Sequence, residues 1–409
     1  MPSSKGYVII VRRYTDEARI SKLKPPIIVY GRRKTGKTFF VKSTFRDAIY
    51  LFVRRDRSIY YEQREELISY DEMKRLIEER KERTVVVDEF HRLPEDFLEW
   101  IHVKSPENLI LVTSTLHLAK RLLGKGSPIL GLFLDYQMKL IDERDILLNL
   151  SEKIHNPKEL VEQAVYLREP ILLRWFGSDL IEILRSLRYV VPSLVGEIFT
   201  EEEKELSKRY EGILRALSSG RATLSEISTY LYSNKLIDRQ DVSSIKPYMK
   251  TLIDIGTVER IPEYGGKRYY YFIHSPMIDL YYYLDEKYNF SESELEEKYF
   301  TEKFPLHVEQ FFRGLISKVF GMRPFMIRKP NLEIDLAFVD YKKLRVVGEV
   351  KWKEKMEGRE IRKIKEKLSR YKGCRKILVV QSRDCIDFEP RDIEVWDVEG
   401  IVEMLKKPE

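Results

Sequence analysis

Gly31, Gly36, Lys37 and Thr38 stand in the order GRRKTGKT, which fits G-x-x-x-x-G-K-[ST] at every fixed position. Glycines at those two places let the backbone of Gly31, Arg32, Arg33, Lys34, Thr35 and Gly36 curl, so that successive N–H groups and the start of the next helix face an anion. Lys37 would then reach the β- and γ-phosphates of a nucleoside triphosphate, and the Thr38 hydroxyl would ligate Mg2+. Asp88-Glu89 close the apolar run VVVDE and supply the matching acidic half. Asp88 would hold the Mg2+ shell and Glu89 would polarise the attacking water. A further apolar run ends in Thr113 and Ser114, where the Ser114 hydroxyl would sense the γ-phosphate. A second charged group lies toward the other end: Asp335 closes Glu-Ile-Asp, and Glu349-Val-Lys351 follows in another apolar run. Alternation along VGEVKW puts Glu349 and Lys351 on one face of a strand.

These residues need elements to hold them. The β-branched run IIVY before Gly31 predicts a buried strand, and Thr38 to Arg46 a short helix. Residues 71–82 read as a helix leading into a strand over 84–90, then a helix over 96–102 and an apolar strand over 108–115. Strands alternating with helices predict a parallel, doubly wound α/β sheet over residues 1–150. From 151 to 206 the strand pattern gives way to helical spacing, with Leu160, Ala164 and Leu167, then Ile183, Leu184 and Leu187, as the apolar stripe of a helical lid. Three helices follow from 207, and then two strand-like pieces around a YGGK turn, the order expected of a winged helix over 207–290. The acidic SESELEEK (291–298) reads as a linker, and residues 300–409 as a separate α/β domain whose first helix carries Glu309. The tyrosines at 269–271 and 281–283 are expected to fill a domain junction.

Composition narrows the chemistry. The chain has 409 residues, 43% of them apolar, with a net charge of +7, enough for two to four domains. Residues 301–409 hold 25 Lys+Arg against 19 Asp+Glu, so nearly the whole positive excess lies there, where a polyanion would sit. Only Cys374 and Cys385 are present, which excludes a disulfide framework and a cysteine-rich zinc site. Six scattered histidines never pair at i, i+4 beside a glutamate, so a zincin-type centre has no support. No apolar run approaches ~20 residues, and the stretch 7–11 is too short for a signal-peptide core, so the expected location is cytoplasmic with no membrane partner.

The chain resembles the archaeal P-loop ATPases, close to the AAA+ and STAND NTPases, that carry a winged helix and a carboxy-terminal nuclease-like domain. The likeness is carried by GRRKTGKT, VVVDEFHRLP, the strand ending in TST, SPILG (127–131), YLYSN with YMKTLIDIGTVERI, SPMIDLYYY (275–283) and EIDLAF with GEVKWK. It implies ATP and Mg2+ as cofactors, ATP/ADP and DNA as partners, and leaves assembly into a homo-oligomer open. The family places a glycine-arginine pair after its SP-x-x element; this chain has Gly131-Leu132, with Arg121 and Arg144 as the remaining candidates for an arginine finger. In the last block the two carboxylates and lysine resemble the PD-(D/E)xK nuclease core, and Glu309 corresponds to the first acidic position of that family. The resemblance implies Mg2+ on Glu309, Asp335 and Glu349, with Lys351 orienting the nucleophile.

The helix predicted over 241–255 exposes Ser243, Ser244, Lys246 and Lys250 around an apolar seam, a surface suited to a major groove, and Lys267 and Arg268 at the turn would meet phosphates. The leading expectation is an ATP-binding and ATP-hydrolysing protein whose nucleotide state controls a DNA-directed carboxy-terminal domain, with Mg2+-dependent nuclease activity left open. Two alternatives stand beside it: a STAND-like signalling or defence switch whose last domain only binds a partner, and a winged-helix transcription regulator.

Overall fold

The computed structural model describes residues 9–202 and 204–407; the first two residues of the apolar stretch 7–11, and the outermost residues of the expected first and last domains, lie outside them. The amino-terminal unit is built on a seven-stranded sheet. Its elements are α1 (Tyr14–Ile20), β1 (Ile27–Tyr30), α2 (Lys37–Thr44), β2 (Ile49–Val53), β3 (Ile59–Tyr61), β4 (Glu66–Ile68), α3 (Tyr70–Glu79), β5 (Val85–Asp88), α4 (Asp96–Lys104), β6 (Leu109–Thr113), α5 (Leu116–Leu122) and β7 (Leu134–Gln137). The strand order is β4-β3-β2-β5-β6-β1-β7, parallel from β2 to β7 with an antiparallel β3-β4 edge. Residues of β1, β5 and β6 are buried on both faces, which is why they read as unbroken apolar runs. Ile28, Val85, Val87 and Leu111 pack on one side of the sheet, and Ile27, Val29, Val86 and Ile110 on the other. The carboxyl ends of β1, β5 and β6 thereby open onto one crevice.

A helical layer follows: α6 (Glu143–Ser151), α7 (Pro157–Leu167), a 3-10 turn (Pro170–Trp175), α8 (Leu180–Arg185) and α9 (Leu187–Glu201). Expected with the first unit, α6 instead turns Ile146, Leu147 and Leu150 into the core of this layer. Next come α10 (Lys208–Ser218), α11 (Leu224–Ser233) and α12 (Val242–Asp254), then the antiparallel hairpin of β8 (Val258–Pro262) and β9 (Tyr269–Ile273), and α13 (Pro276–Tyr288). Thr223 and Glu226 form a reciprocal capping box that starts α11. Tyr270, Tyr271, Tyr281 and Tyr282 are buried, as expected for a junction, whereas Tyr269 is exposed and Tyr283 half-buried.

The last block holds α14 (Glu297–Thr301), α15 (Phe304–Phe320), β10 (Arg323–Pro324), β11 (Ile327–Lys329), β12 (Leu332–Ile334), β13 (Leu336–Asp340), β14 (Lys343–Lys351), α16 (Gly358–Ser369), β15 (Arg375–Val380), β16 (Glu394–Trp396) and α17 (Val398–Lys406). Its five-stranded sheet runs β10-β13-β14-β15-β16, with β10 antiparallel to β13, β13 antiparallel to β14, and β14, β15 and β16 parallel. The apolar segment LEIDLAFV is broken at Asp335: β12 pairs with β11 in a separate hairpin and β13 enters the sheet.

Two expectations about boundaries need correction. The acidic stretch 291–298 is not a free linker, because Phe290 and Phe300 beside it are fully buried with ring centroids 5.4 Å apart, and α14 begins at Glu297. Nor is the last block insulated: α15 and α17 pack on α6 and α7, and one continuous apolar core includes Leu160, Leu214, Leu280, Phe312 and Ile401. Inside this junction Asp279 of α13 meets the Lys303 ammonium and, at 2.7 Å, His307 Nε2. The Lys303 Nζ also donates to the Ser218 carbonyl at 2.7 Å, and His307 Nδ1 lies 2.8 Å from the Tyr166 hydroxyl. Burial acts against the Asp279 charge, but Lys303 and His307 outweigh it and hold the carboxyl below its ordinary range.

A buried cation whose partner is removed costs far more than the pair contributed. Asp279→Ala should therefore lower stability by about 3–5 kcal/mol, seen as a fall in thermal midpoint, and adding Lys303→Met should recover part of the loss.

Candidate functional site

The loop between β1 and α2 is shaped by two constraints. A side chain on Gly31 would run into the Met138 carbonyl, and Gly36 has φ +86° just before the helix. Only glycine meets both demands without strain. Beneath the loop, the buried Arg13 guanidinium donates to the Thr35 carbonyl at 2.8 Å and to the Lys139 carbonyl at 2.7 Å, so the segment before β1 braces the curl. The Thr35 hydroxyl donates back to the Arg32 carbonyl at 2.8 Å. Lys37 Nζ donates to the carbonyls of Gly31 and Arg32 at 2.9 and 3.0 Å. Burial depresses this lysine to about 8, against the opposing pull of Glu89 and Asp88.

Across the crevice, the Thr38 hydroxyl donates to Asp88 Oδ2 at 2.7 Å, and the Tyr50 hydroxyl holds the same oxygen. An adjoining hydroxyl and buried carboxylate are hard oxygen donors of the kind Mg2+ takes, so these residues suit that ion. Glu89 has φ 58°, a left-handed turn that swings its side chain away from Asp88 and toward β6. There it accepts from the Ser114 hydroxyl at 3.1 Å, with His91 Nδ1 3.4 Å and Arg92 3.7 Å away. Burial, and then the neighbouring Asp88 charge, raise the Glu89 carboxyl. Ser114 thus stands on Glu89, and Thr113 Oγ1 lies 3.0 Å from His91 Nδ1.

The remaining loop cations are already engaged by the helical layer. Arg32 pairs with Glu169, both buried, and Glu169 also accepts from Ser275 at the start of α13. Arg33 pairs with Glu197 at 2.5 Å and with Glu201, both on α9. Lys34 is exposed at the tip with φ 63°. Sequence reasoning placed the loop and missed its counter-charges: nothing in the spacing of Glu169, Glu197 or Glu201 ties them to residues over a hundred positions earlier. Arg121 is exposed and lines a small cavity with Glu201 and Glu202, whereas Arg144 is committed to Asp142 at 3.0 Å.

In the last block, the Lys351 ammonium lies 3.2 Å from Asp335 and 2.9 Å from Glu349, and Asp335 also accepts the Val350 N–H at 3.0 Å. The break between β12 and β13 is what carries Asp335 to this point. Burial opposes the Lys351 charge, but the two carboxylates outweigh it and push it up to about 12. A residue not anticipated from sequence, Lys367 of α16, lies 2.5 Å from Glu349. Glu309 is drawn instead to Arg313, one turn along α15, and burial raises it to about 7. The expected metal set is thus only partly assembled: among the described residues, no three His, Cys, Asp or Glu side chains are placed to share a metal ion. Lys351 stands between Asp335 and Glu349, while Lys367 engages Glu349 and Arg313 engages Glu309.

On the surface, Ser243, Ser244, Lys246 and Lys250 are exposed along α12 while Ile245, Met249 and Leu252 are buried, and Lys267 and Arg268 are exposed at the hairpin tip. The Ser243 hydroxyl is turned onto Asp241, which caps the helix. No helix of the described residues is long and apolar enough to cross a membrane.

Residues 23–126 match the family model described as an AAA domain. That segment holds β1, the phosphate loop, β5 and β6, so the AAA-type match falls on the P-loop part of the amino-terminal unit. No curated protein matches the chain. Among solved structures, the Walker-type ATPase of Pyrococcus abyssi is similar with a TM-score of 0.52 at 17% identity, over 67% of this chain and 96% of that one. The ORC1 protein of Aeropyrum pernix in complex with DNA gives a TM-score of 0.31 at 14% identity, over 70% and 95%. A STAND protein with a tetratricopeptide repeat sensor from Pyrococcus horikoshii gives 0.31 at 16%, over 77% and 47%. The first of these likenesses extends the common fold well beyond the AAA segment.

Lys37 must be charged to hold phosphate, and its depressed value near 8 places its titration just above neutrality. Bound phosphates would raise it, so binding above that pH takes up a proton. Triphosphate affinity should then be flat below pH 8 and fall above it, by at most about tenfold per pH unit, with proton uptake visible when calorimetry is repeated in buffers of different ionisation enthalpy.

Proposed function

We propose that the protein binds and hydrolyses ATP and uses the nucleotide state to control a DNA-directed carboxy-terminal half. The observation that carries the reading is the Thr38–Asp88 contact at 2.7 Å, between the start of α2 and the end of β5, above a loop that only glycines at 31 and 36 can form. Mg2+ held there would neutralise charge on the β- and γ-phosphates. The chain's own groups do the rest. Backbone N–H groups of the loop and the α2 amino terminus cradle the phosphates, Lys37 leaves the loop carbonyls for phosphate oxygens, and Glu89, oriented by Ser114, accepts a hydrogen bond from the attacking water.

We read α10 to α12 with the β8–β9 hairpin as a winged helix, in which α12 offers Ser243, Ser244, Lys246 and Lys250 to a groove and Lys267 and Arg268 meet the backbone. Asp335, Glu349 and Lys351 support a nuclease-like site, with Mg2+ as its expected cofactor and Lys351 stabilising the nucleophile. A second reading is favoured by the pairing of these carboxylates with Lys351, Lys367 and Arg313. In that reading the last block binds a partner without cutting, and ATP drives a signalling switch.

Glu89→Gln should keep ATP binding and lose at least about a hundredfold in turnover; hydrolysis at the parental rate would refute the role given to Glu89. Cleavage of plasmid and single-stranded DNA with Mg2+ or Mn2+ decides between the two readings of the last block. Nicking abolished by Asp335→Ala and by Lys351→Ala supports the nuclease, and no nicking by the parent supports the switch. Lys246→Ala with Lys250→Ala should weaken DNA binding and reduce the salt slope by about two, as expected for the loss of two phosphate contacts.

A further inference from the structure

Helix α9 ends on the nucleotide site. Arg33 Nε lies 2.5 Å from Glu197, and the same guanidinium holds Glu201 through Nη1. Water reaches little of the inner pair, with Arg33 17% and Glu201 13% exposed. The second Glu201 oxygen is buried and accepts no hydrogen bond. This carboxylate acts electrostatically on Lys37, on Glu89 and on His91, and the Thr115 hydroxyl, next to Ser114, lies 3.4 Å from the Glu201 carbonyl. Glu202 then accepts the N–H groups of Leu116 and His117 at 2.5 and 2.8 Å, fixing the last turn of α9 to the start of α5.

Glu201 therefore stands between the loop arginine and lysine on one side and the ends of β5 and β6 on the other, the side where a terminal phosphate is read. A desolvated carboxylate with an unused oxygen is costly by itself and is stabilised here only by the loop cations. The same cations serve a triphosphate, and two anions cannot both hold them in so small a space.

We propose that Glu201, with Glu197, is a built-in substitute for the γ-phosphate: it holds α9 against the loop through Arg33 and is expelled when a triphosphate enters. The inference rests on triphosphate binding at this loop and adds to it a competitor within the chain. A diphosphate leaves the Glu201 place free, so the latch distinguishes ATP from ADP. The chain passes from α9 into α10 at Lys208, so expulsion of the last turn of α9 loosens the attachment of the α10–α12 block.

The test uses the full chain, Mg2+ and the slowly hydrolysed ATPγS, with ADP in parallel. Calorimetry on the Glu197→Gln/Glu201→Gln variant should show ATPγS bound at least about tenfold more tightly than by the parent, as removal of two competing carboxylates implies, with a smaller gain for ADP. In the parent, hydrogen exchange over 194–218 should speed up on saturation with ATPγS and stay unchanged with ADP. If the variant and the parent bind ATPγS equally, the latch is wrong while the nucleotide site stands. Should the variant not fold, the exchange measurement on the parent decides: protection over 194–218 that ATPγS leaves untouched overturns the proposal. If neither protein binds any nucleotide, the site and its latch fall together.

Discussion

A phosphate loop concentrates positive charge where the backbone has been bent to point its N–H groups outward, and that concentration must be balanced when no phosphate is present. In this protein the balance comes from the helical layer. Arg32 is met by Glu169, Arg33 by Glu197 and Glu201, and Lys37 by the carbonyls of its own loop. Two of these carboxylates are largely removed from water, so each is held in place by the loop as firmly as it holds the loop. The helical layer is thus tied to GRRKTGKT by ion pairs as well as built on its own apolar core.

Much of this fold is legible in the sequence where one physical rule dominates. Strands buried on both faces must be apolar throughout, so IIVY, VVVD and LILVT announce themselves. Helices with one wet face show their period, as in α12, where Ile245, Met249 and Leu252 are buried between exposed serines and lysines. Local sequence is silent where distant segments compete. The run 291–298 is acidic because its side chains face water, but Phe290 and Phe300 at its borders fix it, and two aromatic residues do not outweigh a charge pattern when read in line. In the same way, helical spacing in α6 says that one face is apolar and cannot say that the face belongs to α7, α15 and α17 and not to the sheet.

The candidate sites divide along the same line. At the phosphate loop the chemistry is written in consecutive residues, and Thr38 and Asp88 meet as their motifs imply. The last block depends on a break in a strand and on a lysine from the next helix. Asp335 reaches Lys351 because β12 leaves the sheet and β13 enters it, and Lys367 reaches Glu349 because α16 crosses that face between β14 and β15. Neither event has a sequence motif. Glu349 is buried between two ammonium groups, and burial together with Asp335 still raises its carboxyl, so a metal ion would have to displace at least one lysine before both carboxylates could bind it. The pairing with Lys351 and Lys367 thus sets the threshold for any metal chemistry in the block.

Contacts of one kind join the two sites. Glu169 receives Arg32 from the phosphate loop and Ser275 from the cap of α13. Glu143, at the first turn of α6, pairs with Arg168 at 2.8 Å and with Lys318 of α15, and Gly314 is where α15 comes close enough for that carboxylate to lie against its backbone. Arg168 and Glu169 are neighbours in the chain, so the ends of both ion-pair sets meet within one dipeptide at the close of α7. Coupling requires that an element have two arrangements and that each site prefer one of them, which spatial continuity does not establish by itself. The geometry gives one end a contact that could differ between states: Arg33 of the loop is held by Glu197 and Glu201 of α9, and on the latch proposed above a triphosphate would take that arginine from them. Because α15 and α17 share their core with α6 and α7, a change in the seating of this layer is also a change in the base on which Glu349 and Lys351 are mounted.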